Sequence, residues 1–289
     1  MNQVEIVILN YKTWELTLDM ITHIRSIRDF DICDILVVDN KSPNDSEIEL
    51  RKDAVKRGYT IIETGENKGY AYGNNVGLRY AYKKGYKYAW ILNNDIEITD
   101  NRVLEKMLYI LEKNGKVAVV SPDIVMPDGH TCNRELVRPS FWQMTAGMIQ
   151  YKKAGRQIRD DQGDGWCFGY RPQGCCMLVN LSIMDKIGYM DENTFLYYEE
   201  HILSEKLLTS GYKIGNCYST SLLHNHSATV KSIYGLTGYL KLINKSYYYL
   251  CKYYRRFNTI QCWLCLIFLD MKESLLWYKR NIRRKGKYV

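Results

Sequence analysis

Up to about residue 230, short apolar runs closed by small polar or acidic residues alternate with stretches of helical period. Val4–Leu9, interrupted only by Glu5, predicts a buried strand that ends at Asn10-Tyr11-Lys12, and Trp14 to Ile27 follows with apolar residues at helical spacing. Asp34 to Asn40 predicts a second buried strand ending on a carboxylate, and Ser42-Pro43-Asn44-Asp45 supplies turn and N-cap chemistry. Ile48 to Arg57 reads as a helix stopped by Gly58, and Tyr59 to Glu63 as a third strand. Asn67 to Gly77 is a glycine- and asparagine-rich turn leading into a helix over Val76–Lys84, with a fourth strand over Tyr86–Leu92. One more helix and strand fit between Arg102 and Ile124. Such alternation predicts an α/β fold, with a mostly parallel central sheet and helices on both faces.

The pattern weakens from Asp128 to Arg171, where glycines, charges and aromatics mix without period, as in a binding loop. Gln173–Leu181 returns to a short strand. Met184 to Leu208 holds a turn, an acidic cluster and an amphipathic helix. Tyr212–Tyr218 is a late strand, followed by Leu222-Leu223-His224-Asn225-His226-Ser227. Beyond Lys231 tyrosine, lysine and leucine dominate, with helical period over Ile233–Tyr254 and Ile260–Ile282. The expected division is a catalytic domain over 1–230, its halves 1–100 for nucleotide and 101–230 for acceptor and catalysis, with a helical appendage over 231–289.

Composition narrows the class. A chain of 289 residues with 46% hydrophobic and 25% charged residues is globular, and 5 prolines leave no long disordered linker. The net charge is +8 and concentrates in Tyr278-Lys279-Arg280-Asn281-Ile282-Arg283-Arg284-Lys285-Gly286-Lys287. Basic residues gathered at the end rather than along a sheet face set a nucleic-acid partner aside. The apolar run Ile260–Leu269 is half the length of about 20 residues that a spanning helix needs. Trp263, Trp277 and Tyr278 beside Lys279, Arg280, Arg283 and Arg284 suit a helix lying in a membrane interface; the other reading is a helix packed on its own domain or in a homodimer. Nine irregularly spaced cysteines and no signal core at the N-terminus fit reduced thiols in the cytoplasm. Cys262 and Cys265 have metal-like spacing, but an apolar helix with no second pair reads as core packing.

Several polar clusters stand at strand ends, where ligands bind in open α/β sheets. Asp95, closing Asn93-Asn94-Asp95, offers a carboxylate to a hard divalent cation, or only turn chemistry. Asp39 suits a base or ribose, or a helix N-cap. Gly69, Gly73 and Gly77 allow backbone to pass close to a ligand, or make a turn. They form neither a P-loop nor a dinucleotide fingerprint. Glu199 and Glu200, behind Tyr197 and Tyr198, offer a general base or complement a helix dipole. His224 suits a metal through a neutral ring nitrogen, or a structural role.

Read together, these residues resemble glycosyltransferase family 2, with the rhamnosyltransferase-like and O-antigen or capsule-type members nearest. The carriers are Val7-Ile8-Leu9-Asn10-Tyr11, Val37-Val38-Asp39-Asn40-Lys41-Ser42, Glu66 to Gly77, Leu92-Asn93-Asn94-Asp95, Gly188-Tyr189-Met190-Asp191-Glu192, Phe195 to Glu200, and His224-Asn225-His226-Ser227. They occur in family order over about residues 3–230.

The resemblance implies a GT-A nucleotide-diphospho-sugar transferase fold and an inverting hexosyltransferase. It implies a UDP- or dTDP-sugar donor, Mg²⁺ or Mn²⁺, and a polyprenyl-diphosphate-linked glycan acceptor in O-antigen or capsule synthesis. Asn10, Asp39, Asn67, Gly69, Asn74, Asn93, Asn94 and Asp95 fall at donor-binding positions, Asp95 and His224 at metal positions, and Glu200, with Glu199 beside it, at the catalytic base. Two departures stand out. The family's Asp-x-Asp is Asn93-Asn94-Asp95, with one carboxylate, and its Glu-Asp pair is Glu199-Glu200 followed by His201. The implied place is the cytoplasm, peripheral on the inner face of the cell membrane. A second class is a non-catalytic sugar-nucleotide-binding partner in a polysaccharide assembly complex, against which the acidic pair argues.

Overall fold

The computed structural model describes residues 3–27, 30, 33–132, 134–148, 160–225 and 230–285, with side chains along the last two helices given over 235–278. His226 and Ser227, residues 149–159 of the expected binding loop, and Gly286 and Lys287 of the basic end lie outside the described residues.

The first four strands are the apolar runs of the sequence. They are β1 (Val4–Asn10), β2 (Cys33–Asp39), β3 (Thr60–Glu63) and β4 (Tyr88–Leu92), all parallel in the order β3-β2-β1-β4. Alternation sorts their side chains to two faces. Ile6, Ile8, Ile35, Val37 and Trp90 pack under α1 (Trp14–Ser26), α2 (Ser46–Arg57) and α4 (Val103–Lys113). Val7, Leu36, Val38 and Ile91 pack under α3 (Tyr70–Lys84) and α6 (Leu181–Lys186). Burying both faces explains why these strands read as continuous apolar runs. Register then aligns their ends, pairing Asn10 with Asp39 and Asp39 with Glu63.

The expected parallel sheet stops at β4. The strand β8 (Cys176–Asn180) pairs antiparallel with β4 and with β6 (Val117–Val125). The next strand, β9 (Lys213–His224), runs parallel to β6, while β5 (Ile96–Glu97) and β7 (Trp166–Gly169) pair antiparallel with β9. The second half is therefore mixed. The strand β9 also runs six residues past the expected end at Tyr218, through a register shift opposite Pro122 and Asp123, so His224 is its last residue rather than a loop residue.

A second correction concerns α3. It starts at Tyr70, before the glycines expected to form a turn. A side chain on Gly73 would sit 2.5 Å from Leu9 Cδ1, and one on Gly77 2.5 Å from Val7 Cγ1. Those two glycines let the helix close on β1 rather than approach a ligand. Gly69 alone has a left-handed φ, 102°.

The appendage comprises α8 (Val230–Tyr249), a π-helical turn (Leu250–Tyr254) and α9 (Thr259–Lys285). Its inner residues, Tyr239, Ile243, Tyr247, Cys251, Cys262, Cys265 and Leu269, form one core with Met144 of α5 (Phe141–Met144) and Ile202 of α7 (Glu199–Thr209). Cys262 and Cys265 are packing residues, as their apolar setting predicts. The outer side of α9 carries exposed Ile260, Trp263, Leu264, Ile267, Met271, Leu275 and Tyr278 at helical spacing. Among the described residues no helix is long and apolar enough to cross a membrane.

Candidate active site

At the carboxyl end of β2 a closed hydrogen-bond set holds Asp39. Its Oδ1 accepts from Asn10 Nδ2 and from Ser42 Oγ, both at 2.7 Å, and its Oδ2 accepts from Ser42 N at 2.8 Å. Thr17 Oγ1 donates to Asn10 Oδ1 at 2.9 Å. Asn10 and Asp39 are both fully buried. Their polar groups shape the strand ends from beneath.

The neighbouring loop is held the same way. Asn67 Oδ1 accepts from Gly69 N at 3.0 Å and from Asn40 Nδ2 at 3.1 Å. A Cβ on Gly69 would lie 2.0 Å from the Phe195 carbonyl oxygen, which accepts from Tyr70 N at 2.9 Å. The loop before α3 is thus laced to the segment before α7. Asn74 is buried in α3 and donates to Tyr70 O at 3.0 Å, while its Oδ1 has no hydrogen-bond partner. Asn75, which the sequence reading passed over, ties α3 to Met190 O and Glu192 Oε1, both at 2.8 Å.

The Asn93-Asn94-Asp95 turn points three ways. Asn93 N donates to Cys175 O at 3.0 Å. Asn94 turns back to α1 and donates to Thr13 Oγ1 and Thr17 Oγ1 at 2.9 Å each, so the donor role expected for its amide is taken up by the protein itself. Asp95 meets His224: Oδ1 lies 3.1 Å from Nε2, because β5 pairs Ile96 with His224. Asp95 also borders a cleft of about 480 Å³ shared with Asn94, Glu97 and Asn225. A carboxylate and an imidazole converging at partial exposure fit a hard or borderline divalent cation. Among the described residues no third acidic, histidine or cysteine ligand joins them, so a cation there would take its remaining ligands from diphosphate and water.

The acidic pair opens α7 and is entered through two successive left-handed residues, Tyr197 (φ 73°) and Tyr198 (φ 64°). Such conformations cost on the order of 1–3 kcal/mol each and persist only when packing enforces them. Here Tyr197 meets Tyr239 edge-on at 5.4 Å, and Tyr198 stacks on Tyr247 at 4.6 Å. Glu199 is buried with Oε2 lacking a hydrogen-bond partner. Burial, then the charge of Glu200, holds its carboxyl well above the usual carboxylate range. Glu200 points to Gly174, where a Cβ would stand 1.9 Å from its Oε1. A side chain at 174 would displace this carboxylate.

Gly174 and Cys175 are the meeting point. Tyr70 Oη donates to Gly174 O at 2.5 Å. Burial pushes the Cys175 thiol up, and Cys176, Asp95 and Glu200 add to the rise. The turn that carries Asp95, through Asn93 N on Cys175 O, and Glu200, against Gly174, therefore meet at one two-residue turn. Sequence reasoning missed Tyr70, Gly174 and Cys175. The only local signal was the small residue preceding an apolar strand.

The profile described as Glycosyl transferase family 2 matches residues 5–172. The low-salt glycan biosynthesis hexosyltransferase Agl10 of Haloferax volcanii is 27% identical over 226 residues, 78% of this chain and 68% of that protein. The galactofuranosyltransferase GlfT1 of Mycobacterium tuberculosis is 25% identical over 190 residues, 66% of this chain and 60% of that protein. Among solved structures, the mannosyltransferase PcManGT from Pyrobaculum calidifontis, in complex with GDP-Man and Mn²⁺, superposes with a TM-score of 0.61 at 13% identity, over 93% of this chain and 69% of that one. The chain thus spans about three-fifths to two-thirds of the lengths of these proteins.

Proposed function

The chain belongs to glycosyl transferase family 2, with the GT-A fold, and from that premise we propose that it is an inverting hexosyltransferase. It takes a sugar from a nucleotide-diphosphate donor, a UDP- or dTDP-sugar, to a hydroxyl of a lipid-linked glycan in bacterial surface polysaccharide synthesis of the O-antigen or capsule type. The observation that supports this reading is the meeting of the Asp95 turn and Glu200 at Gly174-Cys175. On this reading one carboxylate holds the donor diphosphate and the other deprotonates the acceptor.

Glu200 accepts the proton of the acceptor hydroxyl. The freed oxygen bonds to the anomeric carbon on the face opposite the diphosphate, the carbon–oxygen bond to the diphosphate breaks, and the nucleoside diphosphate leaves. General base assistance of this kind contributes roughly 10²–10⁴-fold. Asp95 and His224 would hold a Mg²⁺ or Mn²⁺ ion, which would supply charge neutralisation for the departing diphosphate. Asn67 and Gly69 form the loop against the nucleoside. Asp39, Asn10 and Asn74 keep that edge in shape, and Asn93 and Asn94 fix the turn that carries Asp95. On this reading residues 1–230 are the catalytic unit and 231–289 the appendage.

Both the test and its control use thermal unfolding, since a ligand that binds only the folded chain raises the midpoint. UDP, dTDP and GDP are each added with and without Mn²⁺. The expected result is a Mn²⁺-dependent rise with one base, abolished in Asp95→Asn. No rise with any nucleotide would overturn the reading.

The acceptor's lipid carrier is supported by the outer side of α9. A 27-residue helix spans about 40 Å, and its exposed Trp263, Ile267, Met271 and Tyr278 lead into a sequence end rich in lysine and arginine. This suits peripheral attachment on the cytoplasmic face of an anionic membrane; a homodimer through the same side is the competing outcome. Full-length protein should co-sediment with anionic but not zwitterionic vesicles, and Trp263→Glu with Ile267→Glu should release it. Vesicle binding that survives this double change would assign the stripe elsewhere.

A further inference from the structure

Behind the acidic pair lies a second cavity, of about 140 Å³, that the donor chemistry does not use. It is walled by Tyr170, Tyr198 and Tyr247, with His201, Glu135 and Arg255 among its polar groups.

Two of its polar groups are incompletely satisfied. His201 follows Glu200 directly, and its Nε2 lies 3.1 Å from Glu135 Oε2. Burial alone would raise the Glu135 carboxyl, but Arg171 and His201 beside it hold it well below the usual carboxylate range. An ionised carboxylate accepts the Nε2 proton and leaves Nδ1 as the ring's other polar atom. That Nδ1 is buried with no hydrogen-bond partner. Across the cavity Arg255, its side chain only 6% exposed, places Nη2 on Pro139 O at 2.6 Å. Its Nη1 meets the Met144 thioether at 3.1 Å, and its Nε stands in an ion pair 3.6 Å from Glu205 Oε1. Buried polar groups are ordinarily satisfied, so an unpartnered imidazole nitrogen and a guanidinium nitrogen met only by a thioether, around one cavity, mark a place for a group that hydrogen-bonds to both.

We propose that this cavity is the subsite for one sugar unit of the acceptor, which deepens the glycosyltransferase reading and rests on it. A hydroxyl both donates and accepts, so it satisfies His201 Nδ1 and the Arg255 guanidinium together, while the tyrosines supply apolar surface for the carbon–hydrogen face of the ring. A phosphate would bring its negative charge against the ionised Glu135 carboxylate in the wall. His201 lines the cavity from α7, the helix that also carries Glu200.

The test titrates the full chain with methyl glucoside, galactoside, mannoside and rhamnoside by saturation-transfer NMR, and with inorganic phosphate in the absence of metal. The same preparations are titrated with UDP, dTDP and GDP plus Mn²⁺. At least one glycoside should bind, with affinity lowered about ten-fold or more in His201→Ala, the scale of one or two lost hydrogen bonds. The Met148→Trp variant, which fills the cavity without touching the ion pairs, should lose binding too, while nucleotide affinity holds. Glycoside binding that is absent, or indifferent to both variants, overturns the subsite, as does phosphate binding that both variants abolish. Absence of nucleotide binding alone would sink the enzyme reading instead, leaving the cavity to be judged on the glycosides.

Discussion

The Asp39 corner and the Glu199-Glu200 corner stand at the same sheet edge and are built on opposite plans. Around Asp39 both carboxylate oxygens and the Asn10 amide are engaged at ordinary distances, and the strand register itself sets them side by side. Around the acidic pair, Glu199 has a buried oxygen without a partner, and the chain enters through two left-handed tyrosines. The first corner is a finished polar network, which rigidifies. The second holds backbone strain and an unpartnered carboxyl in place through packing from the C-terminal helices. Perturbed acids and enforced backbone concentrate where chemistry occurs. The comparison assigns shape to one corner and reaction to the other.

The sharpest way to break that assignment is Glu200→Gln. Transfer should fall by roughly 10²–10⁴-fold, while the Mn²⁺-dependent nucleotide shift in unfolding midpoint stays. Full activity in a steady-state assay would remove the reaction from this corner. Next in size is Tyr247→Ala. Truncating a buried aromatic costs on the order of 3–5 kcal/mol in stability, and here it also removes the ring that Tyr198 stacks on. The expected outcome is a lower midpoint in denaturant and a loss of kcat larger than the change in nucleotide affinity. A stability loss with kcat unchanged would show that the appendage does not hold the acidic pair in its working conformation.

Asp39→Asn gives the matching measurement at the other corner. It leaves Ser42 N and Oγ competing for a poorer acceptor and places an amide beside the amide of Asn10. A loss of about 1–3 kcal/mol, read in urea, is expected for disturbing such a buried set, with nucleotide affinity falling and kcat for bound donor holding. A selective loss of kcat would blur the distinction between the corners.

How much of this was legible depended on sequence distance. The first four strands could be read because each is a locally continuous apolar run with a polar stop, and their parallel pairing then brings Asn10 and Asp39 together without further information. The start of α3 was not legible. Gly73, Asn74 and Asn75 are weak helix formers, and what keeps them helical is tertiary: Leu9 against Gly73 and Met190 against Asn75. The antiparallel insertion of β8 has no local signature either, yet it is what carries Gly174 to Tyr70 and Cys175 to Asn93. Asp95 and His224 were both picked out from their neighbours in sequence, but their contact depends on β5 pairing with β9. The motif residues were visible singly, and the architecture between them was not.

The smallest effect, and the one that discriminates within the acidic pair, is that of Glu199→Gln. Burial and the charge of Glu200 raise the Glu199 carboxyl in the folded chain well above its unfolded value. The folded state therefore binds this proton more tightly than the unfolded state does. The stability it contributes is fully present below the unfolded value, near pH 4.3, and is lost as pH rises through the folded one. Glutamine has nearly the same shape and no proton to lose, so the variant should match the parent near pH 4 and gain on it progressively at neutral and alkaline pH, by a few degrees in midpoint. Transfer should survive, because a neutral group at 199 is what the folded chain already maintains. If Glu199→Gln abolished transfer as completely as Glu200→Gln, the base would be Glu199, and its raised carboxyl would be the tuning of a catalytic group rather than a by-product of shaping the turn into α7.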